Sequence, residues 1–197
     1  MALLFAALWP LERFNTFVLM IGRWLAIGLL VLMVCFILGQ VILRYGFDAA
    51  PNWTEEGARF GMLWLTGLMA PTAYRMGGFV SIDMLERALP RVVSGVLTLV
   101  LLGVSLWVLV VMLDRGIYNH VFSLSGRGNS AALRLPLDWF GGERIRFKLS
   151  WAYGSLATGI ALLILVNIEL VLRQIITLFG RGNDLNSLSD GDMVRAD

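Results

Sequence analysis

The sequence predicts an all-α integral membrane protein, with four transmembrane helices and a short interfacial amphipathic helix between spans two and three. Three observations carry this. Hydrophobic residues make up 58% of the 197 and charged residues only 15%. The mean hydropathy of +0.76 is well above that of a soluble domain. Four stretches, residues 24–43, 60–74, 92–113 and 149–168, carry no charge at all, and the charges gather between them, where membrane interfaces belong.

Taken in order, the first nine residues are apolar but lack a basic n-region. Pro10, Glu12 and Arg13 follow without a small-residue cleavage pattern, so a removable signal peptide is not expected. Leu11, Phe14, Val18 and Ile21 fall at helical spacing opposite Glu12, Asn15 and Thr16, the pattern of an interfacial turn entering the bilayer, with Trp9 and Trp24 at headgroup depth. Span one covers about 24–43, 20 residues, enough at about 1.5 Å each to cross a core of about 30 Å. Pro51 disfavours helix at Ala50, and Asn52 followed by Glu55 resembles a capping box that starts the next helix.

Span two covers about 57–75. Its uncharged run is short, so Glu55, Glu56 and Arg59 are placed at one interface and Arg75 is expected to snorkel outward at the other, with Pro71 a candidate kink. Residues 81–89 put Ile82, Leu85 and Leu89 on one face and Asp83, Glu86 and Arg87 on the other, an amphipathic helix stopped by Pro90. Span three covers about 92–113 and span four about 149–168, joined by a 35-residue connection, 114–148, of a length that is usually functional. The four-span domain thus occupies 1–179. Residues 180–197 form a polar tail, placed in the cytoplasm and expected to be disordered.

Orientation rests on a thin margin. The N-terminus, second loop and C-terminus together hold eight Lys and Arg, and the other two loops also hold eight, six of them in the long connection. Arg13 and Arg23 before span one tip the balance towards cytoplasmic termini.

Composition excludes most chemistry. The charge of +2 is too small to imply nucleic acid, and the single Cys35 excludes disulfide scaffolds and Cys-based metal sites. His120 is the only histidine, so paired haem ligands, a histidine zinc site and a Ser/His/Asp triad built on a second histidine all fail; it is read as a cap on span three. Residues 126–131, G-R-G-N-S-A, lack the βαβ setting of a dinucleotide site, and Asn52-Trp53-Thr54 is a chance-level glycosylation sequon. No acidic or basic residue sits at mid-membrane, which argues against a proton or ion path. No catalytic, cofactor or metal residue is expected.

The interface charges need another explanation. Glu55 and Arg59, and again Asp83 and Arg87, stand four residues apart in the favourable order, so solvated local pairs and contacts with a second subunit are both open readings. Glu56 and Arg44 lie beside them without an evident local partner, which favours the second. A stand-alone channel would need polar faces along its spans, and a quinone-linked oxidoreductase anchor would need more histidines; both remain alternatives.

Here the chain resembles a known family, the small, DctQ-like membrane subunit of tripartite ATP-independent periplasmic (TRAP) transporters. The resemblance rests on R-Y-G-F at 44–47, P-N-W-T-E-E-G-A-R-F at 51–60, Trp64, and R-M-G-G-F-V-S-I-D at 75–83 followed by Leu89-Pro90. S-A-A-L-R-L-P-L-D-W at 130–139 looks like the family segment leading into the last span, but here residues 140–148 intervene. The resemblance implies a four-span, non-enzymatic scaffold with cytoplasmic termini in a bacterial inner membrane. It would brace a large membrane subunit that imports a carboxylate-bearing solute with a sodium gradient, the solute being delivered by a periplasmic substrate-binding protein. On that reading Arg44, Trp53, Glu55, Glu56, Arg59, Trp64, Arg75 and Asp83 position helices or meet the partner.

Overall fold

The computed structural model of the chain describes residues 2–48, 52–77, 90–115, 129–135 and 145–181. Four helices account for most of them: α1 (Ala2–Gly46), α2 (Asn52–Arg75), α3 (Arg91–Met112) and α4 (Leu149–Ile176), the last continued by a π-helical segment, Thr177–Arg181. Among the described residues, three regions are long and apolar enough to cross a membrane: Leu8–Phe47, Val93–Arg115 and Ser150–Phe179. Helix α2 is not among them, yet its 24 residues reach about 36 Å.

The ends of the helices follow from local chemistry. Helix α1 stops where Asp48 takes a left-handed backbone (φ 51°), a conformation Asp tolerates better than most residues. Helix α2 stops at Gly77 (φ 81°), whose N–H bonds back to Tyr74 O at 3.3 Å. Pro90 precedes α3, where a missing N–H costs nothing. Helix α1 is one continuous element of 45 residues, about 68 Å, that runs through Pro10. The expected interfacial turn before span one is therefore not a separate element. The ring of Pro10 removes one backbone bond near the helix start, and the helix continues past it.

Packing follows a spacing of three and four residues. On α1 the inward stripe is Leu8, Glu12, Asn15, Leu19, Gly22, Ala26, Leu29, Met33 and Phe36; on α2 it is Thr54, Gly57, Gly61, Trp64, Leu68, Pro71 and Arg75. On α4 it includes Ser155, Gly159, Val166, Glu169, Arg173 and Ile176. A mean spacing of 3.5 residues is the seam of helices that cross at about 20° with a left-handed twist. Contacts fix the directions. Gly22 meets Leu68 while Gly57 meets Phe36, so α1 and α2 are antiparallel. Gly67 meets Ser155 and Gly159, and Arg75 meets Glu169, so α2 and α4 run parallel. Gly95 of α3 meets Gln174 and Leu178, while Ser105 shares the Tyr74 hydroxyl with Asn167, so α3 opposes α4. Helices α1, α2 and α4 pack mutually, and α3 packs chiefly on α4.

The connection before α4 departs from the all-α expectation. Strands β1 (Asn129–Leu135) and β2 (Ile145–Lys148) pair antiparallel, Leu135 opposite Ile145 and Asn129 opposite Lys148, with an irregularity between. The second strand comes from the 140–148 stretch and leads into α4 with no intervening residue. The interfacial helix at 81–89, His120 and residues 182–197 of the tail lie outside the described residues.

Candidate functional site

The polar core of the molecule is a cluster that joins three helices. Glu169 of α4 is fully buried at 0% exposure, and Arg75 at the end of α2 is 7% exposed. Arg75 donates to Glu169 Oε1 through Nη2 at 2.8 Å and Nε at 3.3 Å. Its Nη1 donates to Thr16 Oγ1 of α1 at 2.9 Å and its Nη2 to the Glu12 carbonyl at 3.5 Å. Asn15 of α1 donates to Glu169 Oε2 at 2.7 Å and to the Leu165 carbonyl at 3.3 Å. Arg173, one turn along α4, donates to Glu169 Oε1 at 3.2 Å through Nε, and its Nη2 lies 3.1 Å from Glu12 Oε1 as an ion contact without hydrogen-bond geometry.

Two carboxylates thus face two guanidiniums, and the quartet is neutral. A buried charge is tolerated when it is paired and its remaining lone pairs and protons are satisfied. Glu169 meets that condition with four donors on two oxygens. The sequence expectation that Arg75 snorkels outward is overturned, because a complete hydrogen-bonding set waits for it on α1 and α4. Glu12, Asn15, Glu169 and Arg173 were not among the expected site residues. Their signal was an i,i+4 Glu–Arg pair between apolar neighbours on α4 and a polar pair on the inward stripe of α1.

A second polar link lies beside the first. Asn167 donates to the Tyr74 hydroxyl, which also bonds Ser105 of α3, so α2, α3 and α4 are tied together here. Trp64 donates through its indole N–H to the Trp151 carbonyl at 3.1 Å and lies 6.4 Å from the Phe60 ring, which assigns this expected interface residue to the contact between α2 and α4.

The remaining expected residues that the structure describes sit at the opposite end of α1 and α2. Arg44 is exposed, and Trp53 is 45% exposed with its ring edge-on to Phe36 at 5.7 Å. Glu55 and Arg59 form a solvated pair with side chains 57% and 75% exposed, the local reading of their spacing. Such a pair contributes little: Glu55→Gln is expected to change unfolding in mixed detergent micelles by less than about 1 kcal/mol. Glu56 is half-buried and is not without a partner, contrary to the expectation for it. Asp83 lies outside the described residues. Among the described residues no group of three His, Cys, Asp or Glu is placed to hold a metal ion.

Comparison with known proteins agrees with the sequence resemblance. A protein of Haemophilus influenzae, named provisionally as a TRAP transporter small permease protein, is 38% identical over 66 residues, which cover 34% of this chain and 41% of that relative. The aligned stretch is thus less than half of the relative's length. No solved structure matches the chain. The DctQ component of tripartite ATP-independent periplasmic transporters matches residues 33–177, a stretch that contains Arg75, Glu169 and Arg173. This match takes in most of the chain, which therefore belongs to the DctQ family, a family of transporter components rather than of enzymes.

Proposed function

We propose that the chain is the small membrane subunit of a TRAP transporter and that it braces the large membrane subunit instead of carrying solute. In this reading it crosses a bacterial inner membrane four times with both termini in the cytoplasm, as one four-span domain (1–179) with a polar cytoplasmic tail (180–197). The large subunit moves a carboxylate-bearing organic solute by sodium symport, and a periplasmic substrate-binding protein delivers it. Helix α2 is the fourth crossing. Its direction, opposite to α1 and parallel to α4, supports an up-down-up-down bundle.

The observation that carries the bracing role is the neutral quartet. Its hydrogen bonds and ion contacts join α1, α2 and α4 of the same chain, which suits a rigid support more than a translocation path. A coupling-ion site needs several oxygens converging on the ion, whereas both Glu169 oxygens already accept from cations or Asn15. The exposed Arg44, Trp53, Glu55 and Arg59 are offered as the surface where the large subunit meets α1 and α2.

The test is solute uptake in liposomes holding the large subunit and binding protein, with and without this chain, alongside calorimetry of sodium and carboxylates on the isolated subunit. Lost uptake without the chain, and no saturable binding to it alone, is the expected result. Saturable binding to the isolated subunit would overturn the bracing role, as would undiminished uptake in its absence.

A further inference from the structure

We infer that Glu169 is the positioning residue that places α2 in the membrane, so that the second helix depends on a carboxylate from the last. The inference rests on the reading that α2 crosses the bilayer.

Among the described residues, helix α2 is the one long helix that is not apolar enough to count as a span by composition. It carries Glu55, Glu56 and Arg59 at one end and Arg75 at the other. An arginine at the tip of a span ordinarily reaches headgroups and water, but Arg75 is nearly buried and turned to the interior.

Its depth explains why the outward route is closed. On α4, Asn167 is tied through Tyr74 to Ser105 of α3, and Gln174 donates to the carbonyl of Gly95 of α3. Glu169 and Arg173 lie between these tie points, so α3 passes them with residues 96–104, which fall within its uncharged run 92–113. Glu169 is therefore level with the uncharged run of α3. At that depth an unpaired guanidinium opposes insertion.

The first two helices cannot neutralise it in the arrangement seen. From α1, Arg75 receives only the Thr16 hydroxyl and the Glu12 carbonyl, because the Glu12 carboxylate faces Arg173. The carboxylate that meets Arg75 is Glu169, 94 residues further along the chain. Settling of α2 across the bilayer thus follows the arrival of α4. Glu169 also accepts from Asn15, so one side chain locks both earlier helices once it arrives.

The experiment labels single cysteines in the full chain in intact cells with a membrane-impermeant thiol reagent, in a Cys35→Ser background. The probes are Phe47→Cys and Met76→Cys, at exposed positions beyond either end of α2. In the otherwise unchanged chain the two are expected to label from opposite sides; labelling from one side would refute the crossing of α2 itself. Given opposite sides there, Glu169→Leu is expected to bring both probes to the same side in most molecules. Adding Arg75→Leu to Glu169→Leu is expected to restore opposite sides, since Glu12 then faces Arg173 alone. Opposite-side labelling that persists in Glu169→Leu would overturn the dependence. So would a double variant that fails to regain the arrangement, or that is lost from the membrane as completely as the single one, because the Arg75 charge would then not be what Glu169 serves.

Discussion

Gly67→Val is expected to separate α2 from α4 and to destabilise the bundle by on the order of 3 kcal/mol, measured by unfolding in mixed micelles. A Cβ at Gly67 would lie 2.5 Å from the carbonyl oxygen of Ser155, and one at Gly159 would lie 2.8 Å from the carbonyl oxygen of Gly67. Both obstacles are backbone, so no side chain can swing aside, and the two helices must part. Parting them stretches the Trp64–Trp151 and Arg75–Glu169 bonds on either side of the contact. Gly28 and Gly103 serve as controls, since an added Cβ meets nothing within 4 Å at either. Alanine there is expected to be neutral or to stabilise by up to about 1 kcal/mol, as in any exposed helix interior. Equal losses at Gly67 and Gly28 would mean that close approach of α2 and α4 is not what the glycine provides.

Glu169→Ala is expected to cost about 3–5 kcal/mol in the same measurement, because it strands Arg75 with no carboxylate, whereas Arg173 keeps Glu12. Glu12→Ala should cost far less. The Glu12 side chain is 25% exposed and Arg173 keeps Glu169, so water and the remaining acid share the loss. The ratio between the two variants is the informative quantity. A comparable cost for both would mean that the carboxylates contribute as solvated charges, and that burial of Glu169 does not decide its weight.

The three apolar helices were legible because hydropathy and length act on whole segments and need no knowledge of neighbours. The start of α2 at Asn52 was legible for a similar reason, since Pro51 and the turn before it act on their own backbone. The direction of Arg75 was not. An arginine closing an apolar run reads alike whether it reaches for headgroups or for a carboxylate 94 residues away, and only packing distinguishes the two. Glu169 was hidden differently. It stands four residues before Arg173, which reads as an ordinary solvated pair until the helix face it occupies is known to be covered. The strand pairing in the long connection sets Ile145 opposite Leu135, a non-local choice that no propensity in either strand dictates. Of the expected site, Glu55 and Arg59 behaved as their spacing indicated, and Trp64 turned out to serve contact within the chain.

The neutrality of the quartet bears on how the subunit experiences membrane voltage. A single charge displaced across the full potential exchanges about 2.3 kcal/mol with the field per 100 mV. Two acids and two guanidiniums held within one hydrogen-bonded knot present no net charge, so the field exerts almost no net force on them. The knot holding α1, α2 and α4 is therefore indifferent to swings in that voltage, and the three helices keep the same arrangement at any potential.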